Sequence, residues 1–410
     1  MTSSRDAVVV TGLGVAAPHG DDPERVFEAL MRGESALRPV FADELPRPAA
    51  AATVDFDVRR WFTKLQLPGV DRVSQLAVAA SSLALADAGL PPGAPHGIDA
   101  TRIGVFVGCG MGGATALETA YRGGARVPPL TIPAFMPNAP AAHVAMRHGV
   151  HGPVLSYSVA CASSAIAIAE AAKAVRSGEV DLAIAGGAEA LIVPGVVLAW
   201  QAMQTLAGFA PGEAASAVRP FAAERSGFAL GEGAAFLILE SAAHAARRGA
   251  RSHATLAGWG ASCDATHLTK PDAAGQARAL RAALSMAGLA PKDVGYCNAH
   301  GTATRIGDAV ESEALAQVWG DDLDRLRVSS TKALHGHLLG AAGALEAVVT
   351  VLALRRGELP PNAHCETVDP AIPLNLMRDA GHAAPDLRAA ISSSFAFGGS
   401  NSVLAFTRPA

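Results

Sequence analysis

The sequence predicts an α/β protein with buried sheets, and three observations carry that reading. Short apolar and β-branched runs alternate with alanine-rich segments of helical length. The strand-like runs are apolar almost throughout, as in Ile103–Gly108, which is the pattern of strands covered on both faces. The alternation runs once before about residue 250 and begins again after it. Two similar halves, 1–250 and 251–410, are therefore expected to pack as one body.

In chain order, Val8–Thr11 reads as a strand followed by a turn. A helix follows from about Pro23 to Arg32, with Asp22 as N-cap, Pro23 at the first helical position and Gly33 at the stop. The stretch at 43–52, rich in Pro and Ala, reads as a surface loop. Asp71 to Ala88 is predicted helical and Ile103–Gly108 extended. Val154–Ala160 is a strand, Ala162 to Arg176 a helix and Leu182–Ala185 a strand. Ala235–Leu239 is a strand before a helix through Arg248. The second series reads His253–Gly258 strand, Ala274–Ala287 helix, Gly295–Ala299 strand and Asp308–Val318 helix. It closes with Val328–Thr331 as strand, Leu338–Leu354 as helix, and Ala389–Ser393 and Val403–Phe406 as strands.

The chain of 410 residues is half hydrophobic and 17% charged, ample for a large core. Its net charge of −4 gives no general reason to bind nucleic acid, so an anionic partner needs a local basic patch. The five cysteines, Cys109, Cys161, Cys263, Cys297 and Cys365, are odd in number and widely spaced, with no C-x-x-C pair. That argues against a disulfide framework and against a zinc site. The N-terminus has too few apolar residues for a signal peptide. The apolar stretch Leu182 to Trp200 is interrupted by Gly186, Gly187, Glu189 and Pro194, so it reads as core and loop rather than a membrane span. A reducing, cytoplasmic setting is expected. Gly12, Gly14 and Ala17 match the G-x-G-x-x-A spacing of dinucleotide-binding turns. Pro18, His19 and Gly20 interrupt the helix that such a turn should open, so a tight structural turn is the better reading.

Cys161 sits where an apolar run meets an alanine-rich helix, in VLSYSVACASSAIAIAEAAKAV. The amides and dipole of a helix N-terminus stabilise a thiolate there, which makes the thiol a candidate nucleophile. His300 and His337 each stand at the end of a strand among glycines, with Thr302 and Thr304 beside the first and Thr331 beside the second. In α/β folds such strand ends are where sites form.

Taken together, SVACASSA, HGTATRIGD, STKALHGHLLGAAGALE and FAFGGSN resemble the β-ketoacyl–acyl carrier protein synthases. The resemblance covers essentially the whole chain. It implies a thiolase-like fold, in which two βαβαβαββ halves form a five-layered αβαβα body. It also implies a decarboxylative condensation. Cys161 then matches the nucleophile, His300 and His337 the paired histidines, and Lys332 and Glu346 the family's lysine and its acidic partner. Phe397 matches a gating residue whose amide, with that of Cys161, binds an oxyanion. Thr302 and Thr304 match hydroxyls that hold the phosphopantetheine arm. Met111 matches a position lining the acyl tunnel, and Phe395, Gly398 and Gly399 belong to the same substrate-facing turn as Phe397. Asp308, Glu311 and Glu346 are all placed to offer Lys332 a carboxylate, in a charge network that would fix the histidine tautomers. Glu311 is equally well read as an ordinary solvated helix residue. Arg59, Arg60 and Lys64 form a basic cluster suited to an acidic carrier protein. No cofactor is expected on the enzyme itself, since the carrier supplies its own phosphopantetheine.

Ala303, Gly307, Ala222 and Ser226 depart from the commonest family pattern without removing a catalytic group. They leave room for a specialised polyketide or polyene pathway beside fatty acid synthesis. His335 adds a second imidazole to HGH, but no third ligand stands near it in sequence, so no metal is expected. A thiolase would need a second catalytic cysteine at the FAFGGSN turn, and Cys365 lies well before it. A chalcone-synthase-like enzyme would use asparagine where GHLLGAAG supplies His337. A non-catalytic chain-length subunit usually lacks the nucleophile. The resemblance implies a dimer, either of identical chains or with a chain-length-factor-like partner.

Overall fold

Ten strands carry the fold, five from each half of the chain, in a computed structural model that describes residues 7–90, 97–124, 126–378 and 380–409. The first five are β1 (Val8–Ala16), β2 (Ile103–Gly108), β3 (Val154–Tyr157), β4 (Leu182–Glu189) and β5 (Gly233–Ser241). The second five are β6 (Ala254–Cys263), β7 (Tyr296–Asn298), β8 (Arg327–Ser329), β9 (Ala389–Phe395) and β10 (Ser400–Thr407). With the short strand Asn375–Leu376 at one edge they form a single 11-stranded sheet. Within it the halves repeat one order: β1-β5-β4-β2-β3 and β6-β10-β9-β7-β8. Directions repeat as well. In each half the first three strands of that order are mutually antiparallel and the last three run parallel. Within this sheet the halves join where Val8–Val10 pairs antiparallel with Ala254–Leu256.

Six helices complete five layers. Helices α1 (Arg72–Asp87) and α2 (Ala139–His148) cover the outer face of the first half. Helices α4 (Ala273–Ala287) and α5 (Arg305–Trp319) cover the outer face of the second. Between the sheet halves lie α3 (Ser163–Ser177) and α6 (Ala342–Arg356), packed on each other and on strands of both halves. Helix α6 is buried from Ala342 through Leu354, so it is enclosed on every side rather than along one stripe. This is the αβαβα arrangement of the thiolase-like fold.

Four sequence expectations change. The segment after Thr11 is not a turn: β1 runs on to Ala16 through a bulge between Val10 and Gly12. Gly12 and Gly14 are needed because α1 lies directly on them; a Cβ there would come within 2.2 Å of the Ala84 carbonyl oxygen and 2.1 Å of that of Ala80. Ala49–Ala52 is a buried strand and not a surface loop. The strand at Val154 stops at Tyr157, three residues early. The helices Ala114–Arg122, Thr131–Phe135, Ala139–His148 and Pro194–Ala202 had no counterpart in the sequence reading. No helix among the described residues is long and apolar enough to cross a membrane. Residues 1–6, part of the N-terminus weighed as a signal peptide, lie outside the described residues.

Candidate active site

The turn that carries Cys161 is built by local constraint. After β3 the chain bends through Ala160, whose φ of 44° lies in the left-handed region that non-glycine residues avoid. Ser163 holds the bend: its hydroxyl donates to the Ala160 carbonyl (2.6 Å) and accepts from the Val159 N–H (2.8 Å). Cys161 thus stands two residues ahead of α3, buried, and lines a cavity of about 480 Å³.

The second half brings its histidines to the same place. His300 follows β7 and His337 follows β8, just before α6. The Nε2 of His337 lies 3.0 Å from the Cys161 sulfur. The His300 and His337 rings are 5.5 Å apart at 82°. One nitrogen of each ring and the sulfur all fall within 4.8 Å of one another. Glycines make this convergence possible. A Cβ on Gly340 would sit 2.4 Å from the Gly110 amide nitrogen, and one on Gly343 would sit 2.9 Å from Ala165 Cβ. The GAAG sequence therefore lets the second half press against the first, and the Ala344 N–H donates to Ser164 across the seam (2.9 Å).

The tautomer of His337 is fixed by the backbone. The Leu339 N–H donates to Nδ1 (3.2 Å), which leaves the ring proton on Nε2, facing the sulfur. Both imidazoles are held neutral. Burial and then the nearby Lys332 charge push His300 and His337 well below the ordinary histidine value. Burial also pushes the Cys161 thiol up to about 12, against the Lys332 charge and the backbone N–H groups of Phe397 and Cys161. The helix-end thiolate expected from sequence is thus not the resting state of the closed site, because burial outweighs the helix terminus. The Nε2–H of His337 and those two amides all face the sulfur as hydrogen-bond donors.

Lys332 is fully buried and bonds the His300 carbonyl (2.6 Å) and the Glu346 carboxylate. Asp308 and Glu311 do not pair with it. Glu311 accepts from the His300 and Gly301 N–H groups (2.8 and 2.7 Å). Asp308 accepts from the Phe221 and Ala303 N–H groups (2.7 and 3.0 Å) and lies 3.6 Å from Arg225. Burial pushes both acids up to about 7. Neither is a solvated helix residue, and both hold backbone rather than rings. The expected network therefore shapes the 300–303 loop, while the His337 tautomer is set elsewhere.

Thr302, Thr304, Phe395, Phe397 and Gly399 line the cavity, and Gly398 stands beside it. The Thr302 and Thr304 hydroxyls are 3.0 Å apart. Gly307 faces them so closely that a Cβ would reach 2.4 Å from the Thr304 hydroxyl. Gly398 and Gly399 both have positive φ, and the Gly398 N–H donates to the Leu268 carbonyl (2.7 Å). The Phe397 ring lies 6.1 Å from Trp200, near parallel. Met111 is not brought into the cavity; it is half exposed, and its N–H points to Glu189. Arg59, Arg60 and Lys64 are exposed and do not line the cavity, and Arg59 pairs with Asp57 while Arg60 pairs with Asp21. His335 is structural: its Nδ1–H donates to the Gly336 carbonyl (2.7 Å) and its Nε2 accepts from Thr331 (2.9 Å).

Sequence reasoning missed Glu189 as a site-building residue. It is fully buried at the end of β4 and accepts from the N–H groups of Gly110 (2.7 Å) and Gly340 (3.0 Å), one from each half. An acid closing an otherwise apolar strand was the available signal. Trp200 and Phe228 were also missed; single aromatics in apolar stretches carry no sequence mark of a cavity wall.

Comparisons with known proteins cover both halves of the chain. The profile of the Beta-ketoacyl synthase, N-terminal domain matches residues 5–245, and that of the Beta-ketoacyl synthase, C-terminal domain matches residues 253–366. The chain is 40% identical over 406 residues to Nodulation protein E of Rhizobium meliloti (strain 1021), covering 97% of this chain and 98% of that one. It is 35% identical over 416 residues to 3-oxoacyl-[acyl-carrier-protein] synthase 2 of Staphylococcus aureus (strain N315), covering 99% of each. Among solved structures, the ishigamide ketosynthase/chain length factor superposes with a TM-score of 0.90 at 33% identity, over 99% of this chain and 100% of that one. With the sulfur, the paired imidazoles and both halves accounted for, the chain belongs to the β-ketoacyl synthase family of acyltransferases.

Proposed function

We propose that this chain extends an acyl group by decarboxylative condensation with a malonyl thioester. The observation that carries the reading is the meeting of the Cys161 sulfur with the His300 and His337 nitrogens in one cavity. Residues 1–250 supply the nucleophile and 251–410 the two imidazoles.

In the first step the Cys161 sulfur attacks an acyl thioester on a carrier, and the carrier's thiol leaves carrying the proton. The Cys161 and Phe397 amides hold the oxyanion that forms. A malonyl thioester then enters between the histidines. Its carboxylate leaves as carbon dioxide, and the electron pair passes into an enolate whose oxygen accepts N–H bonds from His300 and His337. Neutral imidazoles serve here as donors, so no side chain has to remove a carbon-bound proton. The enolate carbon attacks the acyl carbonyl on Cys161 and the sulfur leaves, giving a β-ketoacyl thioester on the carrier. Thr302 and Thr304 hold the phosphopantetheine arm, and Lys332 with Glu346 positions the His300 carbonyl.

The carrier is an acyl carrier protein, as in the name of the Staphylococcus relative. The chain acts as a dimer. Strand β3 ends the sheet with Val154 and Leu155 exposed at 38% and 45% on an unpaired edge, which suits pairing with a second such strand. Likeness to a ketosynthase/chain length factor pair favours a second reading, in which that partner is a chain-length-factor-like subunit. Intact-mass measurement of Cys161 acylation, followed by product analysis after adding malonyl carrier, tests the reaction. Native mass spectrometry of the chain alone tests the homodimer. A chain that stays monomeric until a homologous subunit is added supports the second reading.

A further inference from the structure

The cavity mouth carries a local charge that the rest of the chain does not. His267, Lys270 and Arg305 all line it, and all three are exposed. The chain as a whole is net −4. Among the described residues only one carboxylate lines the cavity, Glu311, and it is buried and engaged by the His300 and Gly301 N–H groups. Among the described residues no ion pair involves Lys270 or Arg305. Acids close to them in the chain, and Asp369, which lies within the field of Arg305, are already engaged. Asp264 accepts from Asn401 (2.6 Å), Asp272 from the Gly275 N–H (3.0 Å), and Asp369 from Arg225 (2.7 Å). His267 accepts the Thr269 N–H on Nδ1 (3.1 Å), so its neutral ring has Nε2–H left to donate. Two unpaired cations and one donor thus frame the entrance to a cavity that Cys161 also lines.

Resting on the proposed function, we propose that Lys270, Arg305 and His267 bind the phosphodiester of the carrier's phosphopantetheine arm. A thioester-bearing arm that threads to Cys161 leaves its phosphate outside, at the mouth. Guanidinium and ammonium groups bind phosphate oxygens by charge-assisted hydrogen bonds, and unpaired ones do so without first breaking an ion pair. Exposed Leu268 (72%) and Ile306 (60%) stand beside Lys270 and Arg305 in sequence, an apolar rim that suits a protein-borne arm better than a free anion. The paired Arg59 and Arg60 offer no such site.

The test uses one acyl group on three donors: pantetheine, 4′-phosphopantetheine and the intact carrier. Cys161 acylation is followed by intact mass. The wild-type chain is expected to prefer the phosphorylated arm over pantetheine by about tenfold in kcat/KM, the size of one charged hydrogen bond. In Lys270→Glu/Arg305→Glu that ratio is expected to fall to about one, whereas Lys270→Arg is expected to keep it. A wild-type ratio near one, or a ratio that survives the double reversal, overturns the assignment. So does a loss seen with the carrier alone, which would place the cations against the carrier's acidic side chains. Calorimetric binding of phosphopantetheine against pantetheine to Cys161→Ala reads the same preference without chemistry. Failure of acylation with all three donors would then count against the proposed function, and equal binding of the two arms against the phosphate site.

Discussion

The two halves share one strand order and one pattern of strand directions, yet matching positions carry different chemistry. After the third strand of each half a connecting segment leads into a central helix. In the first half that segment holds Cys161; in the second it holds His337, 3.0 Å away. After the second strand of each half the contrast is sharper. The second half places His300 at the cavity. The first places Cys109, which is buried, lies 3.8 Å from Glu189, and has its thiol pushed well up by burial and by that carboxylate. The repeat supplies places where the strands end. Which place is reactive depends on what faces it, a cavity with N–H donors or a sealed acid.

The largest expected break in this comparison is at the sulfurs. Cys161→Ala should abolish covalent acylation, read as loss of the mass shift. Cys109→Ala should keep it, at a stability cost of about 1–2 kcal/mol in chemical denaturation. Next come the imidazoles. His300→Ala should slow malonyl decarboxylation on the order of 10²–10³-fold, while Cys161 acylation falls by about tenfold or less. Equal loss of both steps would show a folding fault instead.

Among the described residues, the ion pair with both side chains fully enclosed, Lys332–Glu346, lies in the second half. Lys332→Met leaves Glu346 unpaired and should cost about 3–5 kcal/mol in urea unfolding, much of it recovered when Glu346→Leu is added. A smaller effect concerns pH. The His300 and His337 imidazoles are both shifted down, so each is neutral at and above the ordinary histidine value and gains a proton only well below it. Decarboxylation should therefore be flat between about pH 6 and 8, and an acid limb centred near 6.5 would contradict the assigned neutral donors. The smallest effect should come from the first half's basic cluster. Arg59→Glu/Arg60→Glu is expected to change carrier KM by about twofold at most, since both arginines are already paired on the surface.

Much of this was legible in the chain. The alternation of strands and helices marked all ten main strands, and the glycines around Cys161, His300 and His337 marked the loops that converge. What the sequence hid has physical causes. The G-x-G of β1 looks like a turn because glycine marks turns, but here it marks a helix lying on a strand. The helices between Ala114 and His148 are short, 9, 5 and 10 residues, so few turns repeat whatever pattern they carry. Charge roles were the least legible. Three acids near one lysine suggest one cluster, yet only Glu346 reaches Lys332, because Asp308 and Glu311 each point to a pair of backbone N–H groups. Met111 matches a tunnel position by motif and stands half exposed outside the cavity.

The central claim is that sulfur from one half and two imidazoles from the other share a single substrate space. A single-turnover experiment addresses it most directly: acylate Cys161, remove the donor, add malonyl carrier, and follow protein and carrier masses together. The account predicts that the acyl mass leaves Cys161 as a carrier product appears, larger by that acyl group and smaller by carbon dioxide. Malonyl carrier that loses carbon dioxide while the acyl group stays on Cys161 would contradict it.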